Sequence, residues 1–330
     1  MTVLDHPREE APVPEGAAPS VGPAEAAPAP PVTRPVDAAG AGPPPMPTPR
    51  AIVAIVGAWL VLLAIATAAV LYPLGPLFQR REQHQLLRTF RVDVQQAADA
   101  KEGLEGLLNA EKPLAPEVGQ SVAILDLGRV RVQQVVIEGV GPDQTRRGPG
   151  HVPGTAGLGQ PGNSVVVGRR SGWGGPFDGL GSLRAGDEIV TTTVQGQSVY
   201  VVRTVEERRL DPEAQYGPSD DDRLTLVTSA GRWPWATDRA IVVEARLEGR
   251  PFEPTPQGGR VASADGRRGD TGGWAPLALF GAGFAGAAVA AAVLYRRWRP
   301  LTAYLLTTPA VVVMAILTGE SVLRLLPAWA

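Results

Sequence analysis

The chain has 330 residues and a formal net charge of -2 at pH 7, so it offers neither the basic face of a nucleic-acid binder nor an acidic tail. Cys is 0, which excludes disulfides, thiolate metal sites and a cysteine nucleophile. His is 3 (His6, His84 and His151), too few for a multi-histidine centre, and neither a metal nor a cofactor is assigned.

Gly 39 and Pro 33 together exceed a fifth of the chain, against a usual share of about 12%. Residues 1–50 hold much of that excess. They are roughly half Pro plus Ala, too poor in apolar surface to offset their chain entropy, and predict a disordered tail. Residues 51–72 then run without a charge, long enough to cross a bilayer as a helix, between Arg50 and the breakers Pro73, Gly75 and Pro76. Residues 79–117 predict a stalk helix and connector, with Leu86, Leu87, Phe90 and Val94 at helical spacing.

From 118 to 250 the pattern changes to short β-branched runs punctuated by Gly and Pro. They lie at 121–125, 130–137, 164–167, 188–193, 199–205, 223–227 and 240–247, and predict a mainly β fold, a compact barrel or sandwich. Residues 251–273 are Gly- and Arg-rich without periodicity and read as a linker. Two further spans follow, 274–295, rich in Gly and Ala, and 301–319. The loop between them is so short that they must form an antiparallel transmembrane hairpin. Arg296, Arg297 and Arg299 in that loop set it in the cytoplasm, which puts the N-terminal tail inside and the β domain outside a multi-pass cell-membrane protein. Glu320 and Arg324, one helical turn apart, read as an interfacial ion pair.

The β domain resembles a sortase, the membrane-anchored cysteine transpeptidase of Gram-positive cell surfaces, and its pattern is closest to the actinobacterial class E type. Several motifs carry the resemblance in order. Ile137-Glu138-Gly139 precedes Gly148-Pro149-Gly150-His151-Val152-Pro153-Gly154-Thr155, and a run ending at Gly168-Arg169-Arg170 follows. Then come Gly174-Gly175-Pro176-Phe177, Leu183-Arg184-Ala185-Gly186-Asp187 and Leu224-Thr225-Leu226-Val227-Thr228-Ser229, with Arg239 ten residues on. The resemblance implies a sortase-like β-barrel, here with an N-terminal transmembrane helix and a C-terminal transmembrane hairpin.

It also implies a catalytic His, Cys and Arg, and two of the three are replaced. Arg169 stands at the His position and Ser229 at the Cys position; Arg239 alone agrees. A serine hydroxyl needs an adjacent general base, and a guanidinium, protonated up to a pKa above about 12, cannot be one. Lys101, Lys112 and His84 precede the barrel, and His151 belongs to the family's own loop. All three matched positions are expected at one end of the barrel, with an acid or anion between the guanidinium groups.

Trp233 and Trp235 lie between Ser229 and Arg239. They read either as a rim shield or, with His151, as contacts for an extended peptide or for membrane lipid. Asp220-Asp221-Asp222 lacks the spacing of a calcium loop and reads as a solvated turn. Besides a purely structural role that leaves the groove empty and depends on the transmembrane hairpin, two functions remain open. One is a catalytically inactive accessory module that binds a surface-protein peptide, with a membrane partner on the hairpin. The other is a weak serine-based transpeptidase or acyl hydrolase using Ser229.

Overall fold

In a computed structural model the described residues are 49–102, 114–231, 239–259, 266–298 and 300–329, all within the unit Pro49–Ala330. The tail expected at 1–50 lies almost wholly outside them, as do Trp233 and Trp235.

Eight strands close a barrel: β1 (Ser121–Leu127), β2 (Val132–Glu138), β3 (Gly150–His151), β4 (Asn163–Val167), β5 (Glu188–Thr193), β6 (Gly196–Arg209), β7 (Arg223–Ser229) and β8 (Arg239–Glu248). Their order around the barrel is β1-β2-β3-β4-β7-β8-β6-β5. Closure leaves no long free edge. Side-chain alternation explains the burial: Val166, Leu224, Leu226, Ile241 and Val243 fill the interior with Phe177, Leu180 and Tyr200. Val165, Val167, Val227, Ala240 and Val242, of the opposite parity, are buried too, in a second cluster outside the barrel wall. That is why β4 is buried along its whole length.

Expectation and structure differ at three places. Val130 belongs to a 3-10 turn, Gly128–Val130, because Arg131 takes the left-handed conformation at φ 54° and β2 starts only after it. β3 is two residues long and carries no periodicity for a sequence to reveal. Finally, 251–259 is not a free linker. Phe252 N–H donates to Gly159 O, and Thr255 and Gln257 bond Gln160.

Among the described residues, three helices are long and apolar enough to cross a membrane. The first, α1 (Pro49–Ala69), does not stop at Pro73. It passes through a π-helical turn, Val70–Leu74, directly into α2 (Gly75–Glu102). Pro73 cannot donate to the carbonyl one turn back, and the wider turn absorbs that loss. Two short helices on the barrel, α3 (Pro142–Thr145) and α4 (Pro212–Tyr216), precede a hairpin of two of these helices. Its arms are α5 (Trp274–Arg297) and α6 (Pro300–Leu325), the latter six residues longer at its far end than the expected 301–319 span. Trp59 of α1 meets Phe284 of α5 edge-on at 6.0 Å, and both pack with Val311 and Ala315 of α6.

Helix α2 is no free-standing stalk: it lies along β1 and β2. Its stripe of Leu86, Leu87, Phe90 and Val94 covers Ile124 and Val135. Because β3 pairs only with the last residues of β2, Val135 has an open backbone edge there. Gln83 fills it, its Oε1 accepting from Val135 N (2.7 Å) and its Nε2 donating to Val135 O (3.2 Å) and Arg147 O (2.8 Å). A side-chain amide thus completes the sheet.

Candidate functional site

β4 and β7 run parallel, with Val167 opposite Val227. The alignment continues past the strand end, where Gly168 N–H donates to Val227 O (3.0 Å) and Thr228 Oγ1 donates to Gly168 O (2.8 Å). Two residues beyond the last paired position, Arg169 therefore comes alongside Ser229. Gly168 has to be glycine, since a Cβ there would enter the Phe177 ring. Ser229 pairs with Ala240, so Arg239, the first residue of β8, stands at the same barrel end.

The side chain of Arg239 parts from the other two there. Ser229 shares the outer face with Val227, Ala240 and Val242, and its hydroxyl exchanges hydrogen bonds with Gly231 N (3.2 Å) and Gly231 O (3.3 Å). Arg239 falls on the alternate face. It is 59% exposed and ion-pairs with Glu207 on β6 at 3.0 Å. The expectation that both guanidinium groups converge on Ser229 is corrected on this point: strand alternation turns Arg239 away.

Arg170, which the sequence did not single out, reaches the site instead. Its Nη1 donates to Ser229 O (3.3 Å) and to Ala230 O, fixing the end of β7. Adjacent arginines are indistinguishable by composition; only the turn after β4 selects which one faces this carbonyl pair.

Arg169 is buried at 3% exposure, in a small cleft lined also by Asp143, Arg146, Trp173, Glu320 and Arg324. Desolvation lowers its pKa to about 9, with the Arg146 charge adding to the effect, so it is still a cation at neutral pH. Glu320 stands in this cleft, its Oε1 binding Arg146 (3.0 Å) and Arg324 (3.4 Å), a different pair of cations from Arg169 and Arg239, between which an acid or anion was expected. The expected local pair on α6 is thus a bridge from the membrane hairpin to the barrel. Trp173 makes a second bridge, its N–H donating to Leu71 O (3.2 Å) and its ring lying under the Arg146 guanidinium at 5.6 Å.

A third bridge touches the site face itself. Past α6 the chain turns back, and Trp329, fully buried, joins the apolar cluster of Val165, Val167, Val227, Ala240 and Val242. Arg170 N–H donates to Trp329 O at 3.2 Å. The end of the barrel that holds Ser229 is therefore the end that meets the hairpin.

His151 is committed elsewhere. It is 1% exposed, with Nδ1 at 2.7 Å from Glu138 Oε2 and Nε2 at 2.9 Å from Ala156 O. A carbonyl oxygen only accepts, so Nε2 carries a proton, and a second proton is shared with Glu138. Both nitrogens are occupied in holding the 151–156 loop. Asp222 is likewise structural, its carboxylate accepting from Gly162 N at 2.8 Å. A cavity of about 880 Å³, lined by Phe90, Glu138, His151, Gln160 and Thr193 among others, includes none of the three matched positions.

Residues 125–248 match the family model of the Sortase domain. Among solved structures, a sortase D5 transpeptidase from Clostridium perfringens is 21% identical, covering 51% of this chain and 99% of that one, with a TM-score of 0.42. Sortase E from Streptomyces avermitilis is 29% identical, covering 42% and 93%, with a TM-score of 0.36. The SrtA sortase from Actinomyces oris is 24% identical, covering 43% and 93%, also with 0.36. No curated protein gives a significant match. With the motifs at the ends of β4 and β7 and a closed eight-stranded barrel around them, residues 125–248 of this chain are similar to the Sortase domain.

Proposed function

We propose that this chain is a multi-pass membrane protein whose sortase domain binds an extended surface-protein peptide without cleaving it. One observation carries the reading: Cys is 0 in the whole chain, and Ser229 stands where the family's nucleophile is expected, beside a buried arginine. A guanidinium can hold a peptide carbonyl or carboxylate by charge-assisted hydrogen bonds, but it cannot take a proton from serine. His151, engaged at both nitrogens, is not available as a replacement base.

The barrel lies outside the cell on this reading, with the tail and the 296–300 loop inside. The arginines of that loop support the orientation. Exposed Leu60, Ile65, Leu279 and Leu305 suit contact with lipid chains. Protease added to wall-stripped cells is expected to remove the barrel and spare an epitope within residues 1–48; loss of that epitope would reverse the topology.

The function is tested on the purified full chain in detergent with fluorogenic sorting-signal peptides and an amine acceptor. Product release is expected to match the Ser229→Ala variant and the peptide-only blank. Turnover that Ser229→Ala abolishes would make the protein a serine enzyme.

A further inference from the structure

The outer face of β4, β7 and β8 is the surface on which Ser229 lies, and it is already occupied. Val165, Val167, Val227, Ala240 and Val242 form an apolar floor, walled by Val140, Val152, Leu210 and Tyr216 with Gly266 against Val167, and Trp329 packs into the same cluster at 0% exposure. The segment reaches this seat because α6 ends at Leu325 and Pro327 cannot continue a helix. Leu325 is pinned from behind by the chain leading into α5. Asp270 N–H donates to Arg324 O at 2.8 Å, and Gly269 lies so close to the Leu325 backbone that a Cβ would collide with it.

We infer that this face is the peptide groove and that residues 326–329 fill it as an intramolecular ligand. A partner peptide with an aromatic side chain then gains the groove only by displacing Trp329. The inference rests on the peptide-binding reading and adds its regulation. Three features support an exchangeable seat rather than permanent core. The occupant is a short non-helical segment, not an element of the barrel. Its main chain is held through Arg170 N–H, a donor that any extended peptide could use. And Trp329 Nε1 is buried without a hydrogen-bond partner among the described residues, a standing penalty that a fixed core position avoids.

Arg170 couples the two halves of the device. It holds Trp329 O through its backbone and Ser229 O through its guanidinium, so whatever occupies the groove bears directly on the end of β7.

The absence of cysteine provides a clean test. Val227→Cys sets one thiol on the groove floor, on the face of Ser229; Ala123→Cys sets another in the barrel interior. Each is introduced into the full chain, into Trp329→Ala and into a deletion of residues 326–330, all in detergent, and labelled with a water-soluble maleimide. The thiol at 227 is expected to react slowly in the full chain and about tenfold faster or more in both variants, with the thiol at 123 unchanged. A synthetic peptide of residues 324–330 added to the deletion should restore protection. Equal rates at 227 in all three proteins would overturn the inference, and so would an equal rise at 123 in both variants, since Trp329 would then be holding the whole barrel together. Opening at 227 without protection by the peptide would leave the intramolecular plug intact and refute the peptide-binding reading instead.

Discussion

Combining Ser229→Cys with Arg169→His is expected to give hydrolysis of sorting-signal peptides that neither change gives alone. Cysteine supplies a nucleophile whose thiolate is accessible near neutral pH, and a neighbouring cation favours it further. Attack is only half of the reaction, because the leaving amine must receive a proton, and Arg169, held as a cation at neutral pH, is a far poorer donor than an imidazolium. General acid catalysis of that kind is worth roughly 100- to 10,000-fold. The geometry is suitable: the β4–β7 register sets position 169 alongside position 229. Removing the buried Arg169 cation also relieves its repulsion with Arg146. The pair should therefore be strongly non-additive, with single variants at background and the double variant about 100-fold or more above its Cys parent. Release of peptide fragments measured by chromatography checks this, with and without residues 326–330. Equal rates for the Cys variant and the double variant would show that position 169 does not serve the site.

The largest loss of stability is expected at the Glu138–His151 pair. Both side chains are 1% exposed and 2.7 Å apart across the β2–β3 pairing, which sets their residues opposite each other. Whichever of them formally holds the shared proton, the pair is neutral as a unit. Taking away one member leaves the other unpaired at 1% exposure, and such losses run to about 3–5 kcal/mol. That is a large share of a domain stability of about 5–15 kcal/mol. Glu138→Ala and His151→Ala should each lower the unfolding midpoint in urea, followed by tryptophan fluorescence. Replacing both with leucines should cost less than either single change, because no polar group is then left unpaired. Three equal losses would mean that the pair acts only as packing volume.

The barrel was legible because its strands are β-branched and Gly or Pro interrupts them where the chain turns. Seven runs pointed to seven strands; β3, two residues long, has no period to detect. The family motifs located Arg169, Ser229 and Arg239, and these positions do stand at neighbouring strand ends. Side-chain direction was beyond reach of the motif. It depends on the parity of β8, set by the Ser229–Ala240 pairing, and on Glu207 of β6 waiting to receive Arg239. Long-range occupancy was invisible for a related reason. Nothing local distinguishes Gln83, which completes β2, or Trp329, which caps the groove, from an ordinary helix-surface glutamine or an ordinary aromatic after a membrane span. Glu320 illustrates the same limit, since its i,i+4 partner Arg324 is local and its shorter contact, Arg146, is 174 residues away.

On the proposed reading a peptide enters the groove beside Ser229 and leaves it unbroken. The most direct measurement is the intact mass of the full chain after photo-crosslinking to a sorting-signal peptide that carries a benzophenone side chain. The expected product is an adduct equal to the chain plus the whole peptide, enriched when residues 326–330 are removed and unchanged by Ser229→Ala. An adduct of the chain with only the acyl fragment of the peptide, formed without light and lost in Ser229→Ala, would contradict it.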